Sequence, residues 1–418
     1  MNKNHKMNGS FTNTLYTNDN LFILNGLNSN WVDLIYLDPP FNSKRFYSAP
    51  IGSKAAGSSF KDMWTWQDVN EEYLNTLAEN YPALTEFIAA AGVMHSKAMA
   101  AYLTCMAQRI VEMHRVLKDT GSLYLHCDPT ASHYLKALLD ELFGRKNFRN
   151  EIIWCYKRPS APKQRQLPRL HDVIFWYSKG DTWTFNGDNI RVPYAQSSMD
   201  RAGYAANASK MTDGGIVELK DGGKLPEDWW DIPMLKGNSK ESTGYPTQKP
   251  LALLHRIIKA SSNEGDIVMD PFCGCATTCV AAQQLGRKWI GIDIEKQAVS
   301  ILIERLSNDA GLFKDFVHTS LIPQRTDIRF EAPSAPVKER LYKEQNGLCN
   351  ACGSAFDIRN LETDHIIPKA KGGGDYYENY QLLCSSCNKI KGDRPMEYLR
   401  LKIETRKKLL KEKITFGE

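Results

Sequence analysis

The stretch from Asp266 to Glu295, DIVMDPFCGCATTCVAAQQLGRKWIGIDIE, constrains the fold of this chain more than any other. Ile267-Val268-Met269 is a short apolar run that ends on an acid, Asp270. Pro271-Phe272-Cys273-Gly274 turns the chain, Ala276 to Leu285 is compatible with a helix, and Lys288 to Ile292 is a second strand running into Asp293. Strand, helix and strand in that order predict parallel neighbours, so both carboxylates come to one edge of an open α/β sheet, where such sheets bind ligands. The second acid follows the first by 23 residues, which suits the hydroxyls of a ribose. A phosphate cradle fits less well, because neither GxGxxG nor a glycine-lysine-hydroxyl loop is present. A nucleoside cofactor without a pyrophosphate fits better, and S-adenosylmethionine is the common one.

A partner stretch lies far upstream, at Trp31 to Ser43, WVDLIYLDPPFNS. Val32 to Leu37 has the β-branched and aromatic content of a buried strand. It runs straight into Asp38-Pro39-Pro40-Phe41, where two prolines fix φ and end the ladder, leaving the carboxylate at the strand tip. That arrangement grips a flat, amino-bearing ring. Asp38 and the Pro39 carbonyl accept from the exocyclic NH2, and Phe41 stacks on the face.

Together these residues resemble the amino-methyltransferases of DNA, in the order of their β group. DPPF matches the catalytic motif, DPFCGCATT resembles the cofactor loop, and Tyr245-Pro246-Thr247-Gln248-Lys249-Pro250 resembles the segment that closes on the methionine part of S-adenosylmethionine. Ala276 departs from the pattern, standing where a second glycine is usual. The resemblance covers roughly residues 13 to 310. It implies that Asp38, Pro39, Pro40 and Phe41 carry catalysis. It also implies that Asp19, Thr247, Gln248, Lys249, Asp270, Phe272, Gly274, Thr277, Thr278 and Asp293 meet the cofactor. Asp19 reads equally well as a helix cap. His126 and His133 read as structural histidines. Cys273, Cys275 and Cys279 sit where small residues pack and receive no catalytic part.

Between the strands Glu151–Tyr156 and His171–Ser178 runs KRPSAPKQRQLPRL, with five Lys or Arg, three Pro and no acid. Beside a base pocket, a proline-stiffened cationic segment of this kind is expected to contact phosphates. Residues 44 to 70 are expected to order around DNA. In the β group the recognition region occupies the slot at about 181–240, which is polar and turn-rich here. Helices are expected over most of Glu71–Lys118, with a break near Tyr81-Pro82. Another is expected over Ala131–Phe143, capped by Asp128-Pro129.

A proline-punctuated linker is read at 321–337, dividing a domain at 1–320 from a second unit at 338–418. The second unit holds 16 Lys and Arg against 12 Asp and Glu, most of the chain's net charge of +5, a balance that favours nucleic acid. Four of the ten cysteines fall here as Cys349-x2-Cys352 and Cys384-x2-Cys387, a standard tetrahedral zinc set. Within that frame lie Asp364-His365, Asn379 and Asn388. This resembles the HNH nucleases, whose site is a ββα finger around one divalent metal. The resemblance implies that His365 is the general base, that Asp364 and Asn388 bind Mg2+ or a similar hard cation, and that Asn379 holds the loop orienting the histidine. Met396 to Lys413 reads as a basic amphipathic helix.

The expected fold class is α/β, an S-adenosylmethionine-dependent methyltransferase (Rossmann-like) sheet with a small zinc-bound ββα-metal domain. The expected function is methylation of adenine N6 in double-stranded DNA, with nicking or cleavage by the finger. The alternatives are cytosine N4 specificity, a restriction-type endonuclease with secondary methylation, and a catalytically silent finger. The N-terminus, MNKNHKMNGS, lacks the apolar core of a secretory signal and no run is long enough to span a membrane, so a cytoplasmic location and no membrane partner are expected.

Overall fold

A computed structural model describes residues 13–403 except 43–44, 51–52, 54, 57–58, 70–73, 158–164, 166, 201–218, 296, 309–315, 328–333, 370–372, 395, 397 and 401. Of the basic helix expected over Met396 to Lys413, residues 396, 398–400, 402 and 403 are described and are helical, with Met396 and Leu399 buried in the finger core; the rest of it, and most of the cationic segment 157–170, lie outside those residues.

The strands in chain order are β1 (Thr14–Thr17), β2 (Val32–Leu37), β3 (Arg45–Ser48), β4 (Ser59–Asp62), β5 (Leu117–Cys127), β6 (Phe148–Cys155), β7 (His171–Ser178), β8 (Trp229–Asp231), β9 (Ile267–Asp270), β10 (Lys288–Asp293), β11 (Val317–Thr319), β12 (Leu361–His365) and β13 (Tyr380–Cys384). Nine of them form one sheet in the order β11-β1-β10-β9-β2-β5-β7-β6-β8. From β11 to β5 all pairs are parallel, whereas β7 is antiparallel to both β5 and β6. The direction of winding reverses between β9 and β2. A crevice opens at the carboxyl ends there, and the sequence places Asp270 and Asp38 at that point.

The period of two along β2 fills both layers. Ile35 and Leu37 join the core under the helix Lys97–Val116, and Leu34 and Tyr36 join the core under the helices Leu251–Ser261 and Thr277–Gln284. The Lys97–Val116 helix is capped by Ser96, whose hydroxyl accepts from the Met99 amide at 3.2 Å. The break at Tyr81 falls as expected, with Pro82 opening the next helix. The helix after β5 starts at Ser132 rather than Ala131. Asp128 is not its cap: it closes a local turn onto Thr130.

The finger is an antiparallel β12–β13 pair followed by the helix Ser385–Lys391, around a small core of Leu361, Leu382, Leu383, Val337 and Leu341. The reading of 321–337 as linker needs correction at both ends. Ile322 packs against the main core, Thr326 and Asp327 hydrogen-bond Asn28 and Ser29, and a helix already begins at Ala335. Asp327 has its carboxyl held far below the usual range, burial being outweighed by hydrogen bonds from Arg325 and Ser29. Among the described residues, no helix is long and apolar enough to cross a membrane.

Candidate active sites

The carboxyl edge of the sheet opens into a cleft of about 1420 Å³. Asp270, at the tip of β9, is buried and accepts from the Phe272 amide at 3.0 Å and the Thr278 hydroxyl at 2.5 Å. Burial, and then the nearby charges of Asp38 and Asp293, push its carboxyl up to about 7. Thr278 therefore acts on the loop through Asp270, while Thr277 turns its hydroxyl to Arg305 at 2.9 Å. Asp293, at the tip of β10, accepts from the Gly274 amide at 2.7 Å and the Glu295 amide at 2.8 Å. Its pKa is raised, again by burial. Two acids at neighbouring strand tips leave an excess of negative charge that a cationic, hydroxyl-bearing ligand would relieve.

Ala276 adopts φ +57°, the left-handed conformation that favours glycine. Its methyl is fully buried in the core with Cys279 and Val280, behind the loop, and is absent from the cleft wall. The departure from the family pattern strains the backbone without narrowing the cleft.

Asp19 has the cap role and more. It accepts from the Leu21 amide at 2.9 Å and pairs with Arg109 at 3.1 Å, and it lines the cleft. Arg109 also donates to Asn20, which in turn donates to the Pro271 carbonyl at 2.7 Å. One buried guanidinium thus joins the β1 tip to the cofactor loop. Sequence reasoning missed it, although a lone arginine inside the apolar run AMAAYLTCMAQRIVEM was a visible signal.

Asp38 meets the Lys249 ammonium through one oxygen, and its other oxygen is buried without a partner. Phe41 lies beside it, stacked on His126 with centroids 5.9 Å apart and planes at 27°. His126 is a satisfied core histidine, as expected, but it backs the pocket. Its ring nitrogens meet Tyr36 at 2.9 Å and Asp172 at 3.2 Å, and Tyr156 donates to Asp172 at 3.1 Å. Burial works against the Asp172 carboxylate, but the bonds from His126 and Tyr156 outweigh it and lower its pKa. The segment after DPPF returns as the β3–β4 hairpin, and the Trp64 indole donates to the Pro40 carbonyl at 3.4 Å.

Tyr245 covers Gly274, where an added Cβ would lie 3.1 Å from its ring. Gln248 lines the cleft but spends its amide within its own loop, on Thr243 and the Glu241 carbonyl. Thr247 holds φ +64°, and its carbonyl accepts from Lys249 at 3.4 Å.

In the finger, the sulfurs of Cys349, Cys352, Cys384 and Cys387 all lie within 4.8 Å of one another, a cluster able to hold a metal ion. A tetrahedral ion with bonds near 2.3 Å needs sulfurs about 3.8 Å apart, so the four fit one ion. His365 bonds Asp375 at 2.8 Å, and Asp375 also takes Tyr380 and Lys369. Those donors outweigh burial and hold the Asp375 carboxyl near 2. Asn379 is buried and spans the loop, accepting from the Ile367 amide and donating to the Ile367 and Gly374 carbonyls. Asp364 takes Gln381 at 2.8 Å and the buried Lys391 at 3.1 Å, whereas Asn388 donates to Glu362 at 2.6 Å. The structure thus ties Asp364 and Asn388 to different partners. Asp375 and Lys391 were not singled out from sequence.

An open α/β sheet with acids at three neighbouring strand tips around a cleft is the architecture of a ligand-binding α/β enzyme. More particularly, residues 32–304 match the DNA methylase family, and residues 349–394 match HNH endonuclease. The chain belongs to the DNA methylase family and carries a C-terminal HNH endonuclease domain. It is 34% identical over 208 residues to the DNA adenine methyltransferase YhdJ of Escherichia coli (strain K12), covering 49% of this chain and 67% of that one. It is 32% identical over 208 residues to the type II methyltransferase M.HpaI of Haemophilus parainfluenzae, covering 50% and 60%. The chain thus spans 60–67% of the length of these relatives. Among solved structures, the PvuII DNA methyltransferase (cytosine-N4-specific) is 14% identical with a TM-score of 0.44, covering 73% of this chain and 92% of that one.

Proposed function

We propose that this chain transfers a methyl group from S-adenosylmethionine to the N6 amino group of adenine in double-stranded DNA, within the cytoplasm. The observation that carries the reading is Asp38. It is a carboxylate with a buried, unpartnered oxygen, beside an aromatic face, in the cleft that also holds Asp270 and Asp293. The cofactor, when bound, supplies an electrophilic methyl group on a sulfonium. Asp293 would accept from its ribose, and the Asp270–Thr278 pair and Gly274 would shape the loop around it. Asp38 and the Pro39 carbonyl would accept the N–H groups of the target amine, aiming its lone pair at the methyl, while Phe41 supports the ring. The base must leave the duplex to reach them. Residues 181–240 and 157–170 would contact the DNA. Adenine is favoured because cytosine enzymes more often carry serine at the position of Asp38, and because the E. coli relative is named an adenine enzyme.

The four cysteines would hold structural zinc, whose thiolate set suits that ion. To hold Mg2+ through oxygen, Asp364 would have to give up Lys391 and Asn388 would have to turn from Glu362, with His365, oriented by Asp375, taking a proton from water. The test is an assay of DNA with labelled cofactor and, separately, with Mg2+, on matched unmethylated and pre-methylated DNA. Label in adenine and cutting that His365→Ala abolishes are expected, with less cutting after methylation. Label in cytosine would move the specificity to N4. Cutting by His365→Ala as fast as by the wild type would remove the nuclease assignment.

A further inference from the structure

Lys249 belongs to the segment that covers the cofactor loop, yet its ammonium lies on Asp38. It is 9% exposed, sits 5.7 Å from the centroid of the Phe41 ring, and has the Thr247 carbonyl as its other oxygen partner, at 3.4 Å. A nitrogen donor bonded to Asp38 beside Phe41 occupies the place that the target amine must take. With Lys249 on one oxygen of Asp38 and the other oxygen buried, an amine entering from the cleft meets the ammonium before the carboxylate. A second positive charge there would also oppose an amine that gains positive charge as it is methylated. An ammonium this buried must keep a counter-ion wherever it goes.

We infer that Lys249 is a movable counter-ion shared by two subsites: on Asp38 it stands in for the target amine, and a bound cofactor's carboxylate draws it away and opens Asp38 to the base. This rests on the proposed S-adenosylmethionine site and deepens it. Two features favour the movement. Tyr245, four residues before Lys249, rests on Gly274 of the cofactor loop, so the segment senses that loop directly. Thr247, two residues before it, holds a left-handed backbone that costs a β-branched residue energy, so the segment's arrangement around Lys249 carries strain that a rearrangement would release. Cofactor would then bind before the base enters, and an empty enzyme would keep its base pocket closed.

The experiment is calorimetric binding of S-adenosylhomocysteine, which carries the carboxylate, and of 5′-methylthioadenosine, which lacks it. It uses the full-length wild type, Asp38→Asn, Lys249→Met and the double variant. Asp38→Asn frees the lysine without changing shape, so it should tighten S-adenosylhomocysteine by about tenfold and leave methylthioadenosine unchanged. In the Lys249→Met background the same change should have no effect on either ligand. The proposal is overturned if Asp38→Asn leaves S-adenosylhomocysteine within about twofold of wild type. It is also overturned if the tightening persists with Lys249→Met, because plain relief of charge repulsion would then suffice. If neither ligand binds the wild type, the cofactor reading itself fails, a result distinct from both.

Discussion

The two candidate sites are built by opposite means. The cleft draws Asp19, Asp38, Arg109, Lys249, Asp270 and Asp293 from nearly the whole length of the larger unit, and a nine-stranded sheet with cores on both faces holds their backbones in place. The finger takes its machinery from residues 349–394, on two short strands and one helix. A large core can position remote side chains unaided. A small one needs covalent or metal staples. The finger should therefore depend on its metal, and the cleft on its charges.

The largest effect expected from this contrast is in the finger. Cys384→Ser should lose one bound zinc per chain and unfold the finger before the larger unit, since structural zinc contributes roughly 10–16 kcal/mol to such small domains. Metal analysis with two-step thermal melting checks it, and a folded, metal-free finger would break the comparison. Next comes the cleft. Asp293→Ala should weaken S-adenosylhomocysteine by about 1.5–3 kcal/mol without changing the melting of the finger. Unchanged affinity would remove the ribose role.

Asp270 sharpens the same contrast through pH. Its pKa is raised to about 7, chiefly by burial, so the fold favours its protonated form. The stability this contributes is fully present below the ordinary carboxylate pKa and is lost as pH rises through about 7. Asp270→Asn, which keeps an acceptor for Thr278 without the charge, should then raise stability at pH 8 by on the order of 1–3 kcal/mol relative to its effect at pH 4. Equal shifts at both pH values would contradict that. The smallest effect concerns Ala276→Gly. It relieves the left-handed alanine, worth about 1–2 kcal/mol, against the loss of one buried methyl, about 0.8 kcal/mol. The net gain in thermal stability should be at most about 1 kcal/mol, with cofactor affinity unchanged.

The contrast also decides what was legible in the sequence. In the finger nearly every partner is local, so the cysteine frame could be read from spacing, and Asp364-His365 and Asn379 from the resemblance to HNH nucleases. Asp375 escaped because its role appears only when the loop folds back on His365. In the larger unit the strand tips were legible, since Asp38, Asp270 and Asp293 each end an apolar run. β1, β8 and β11 were not, being three or four residues long and defined by their neighbours in the sheet. Arg109 and Asp172 lie within a helix and a strand, and only tertiary packing turns them toward Asp19 and His126. The linker reading failed at Ile322 and Asp327 for the same reason: prolines mark irregular chain, but docking is decided by the surface beneath.

The central claim is that Asp38 is the methyl-transfer site for adenine. Nucleosides from the DNA of cells expressing the wild type or Asp38→Ala, separated and weighed by mass spectrometry, test it most directly. N6-methyladenine should appear with the wild type and fall by about 10²–10³-fold or more with Asp38→Ala, and N4-methylcytosine should appear with neither. N6-methyladenine at wild-type levels in the variant, or methylation confined to cytosine, would contradict it.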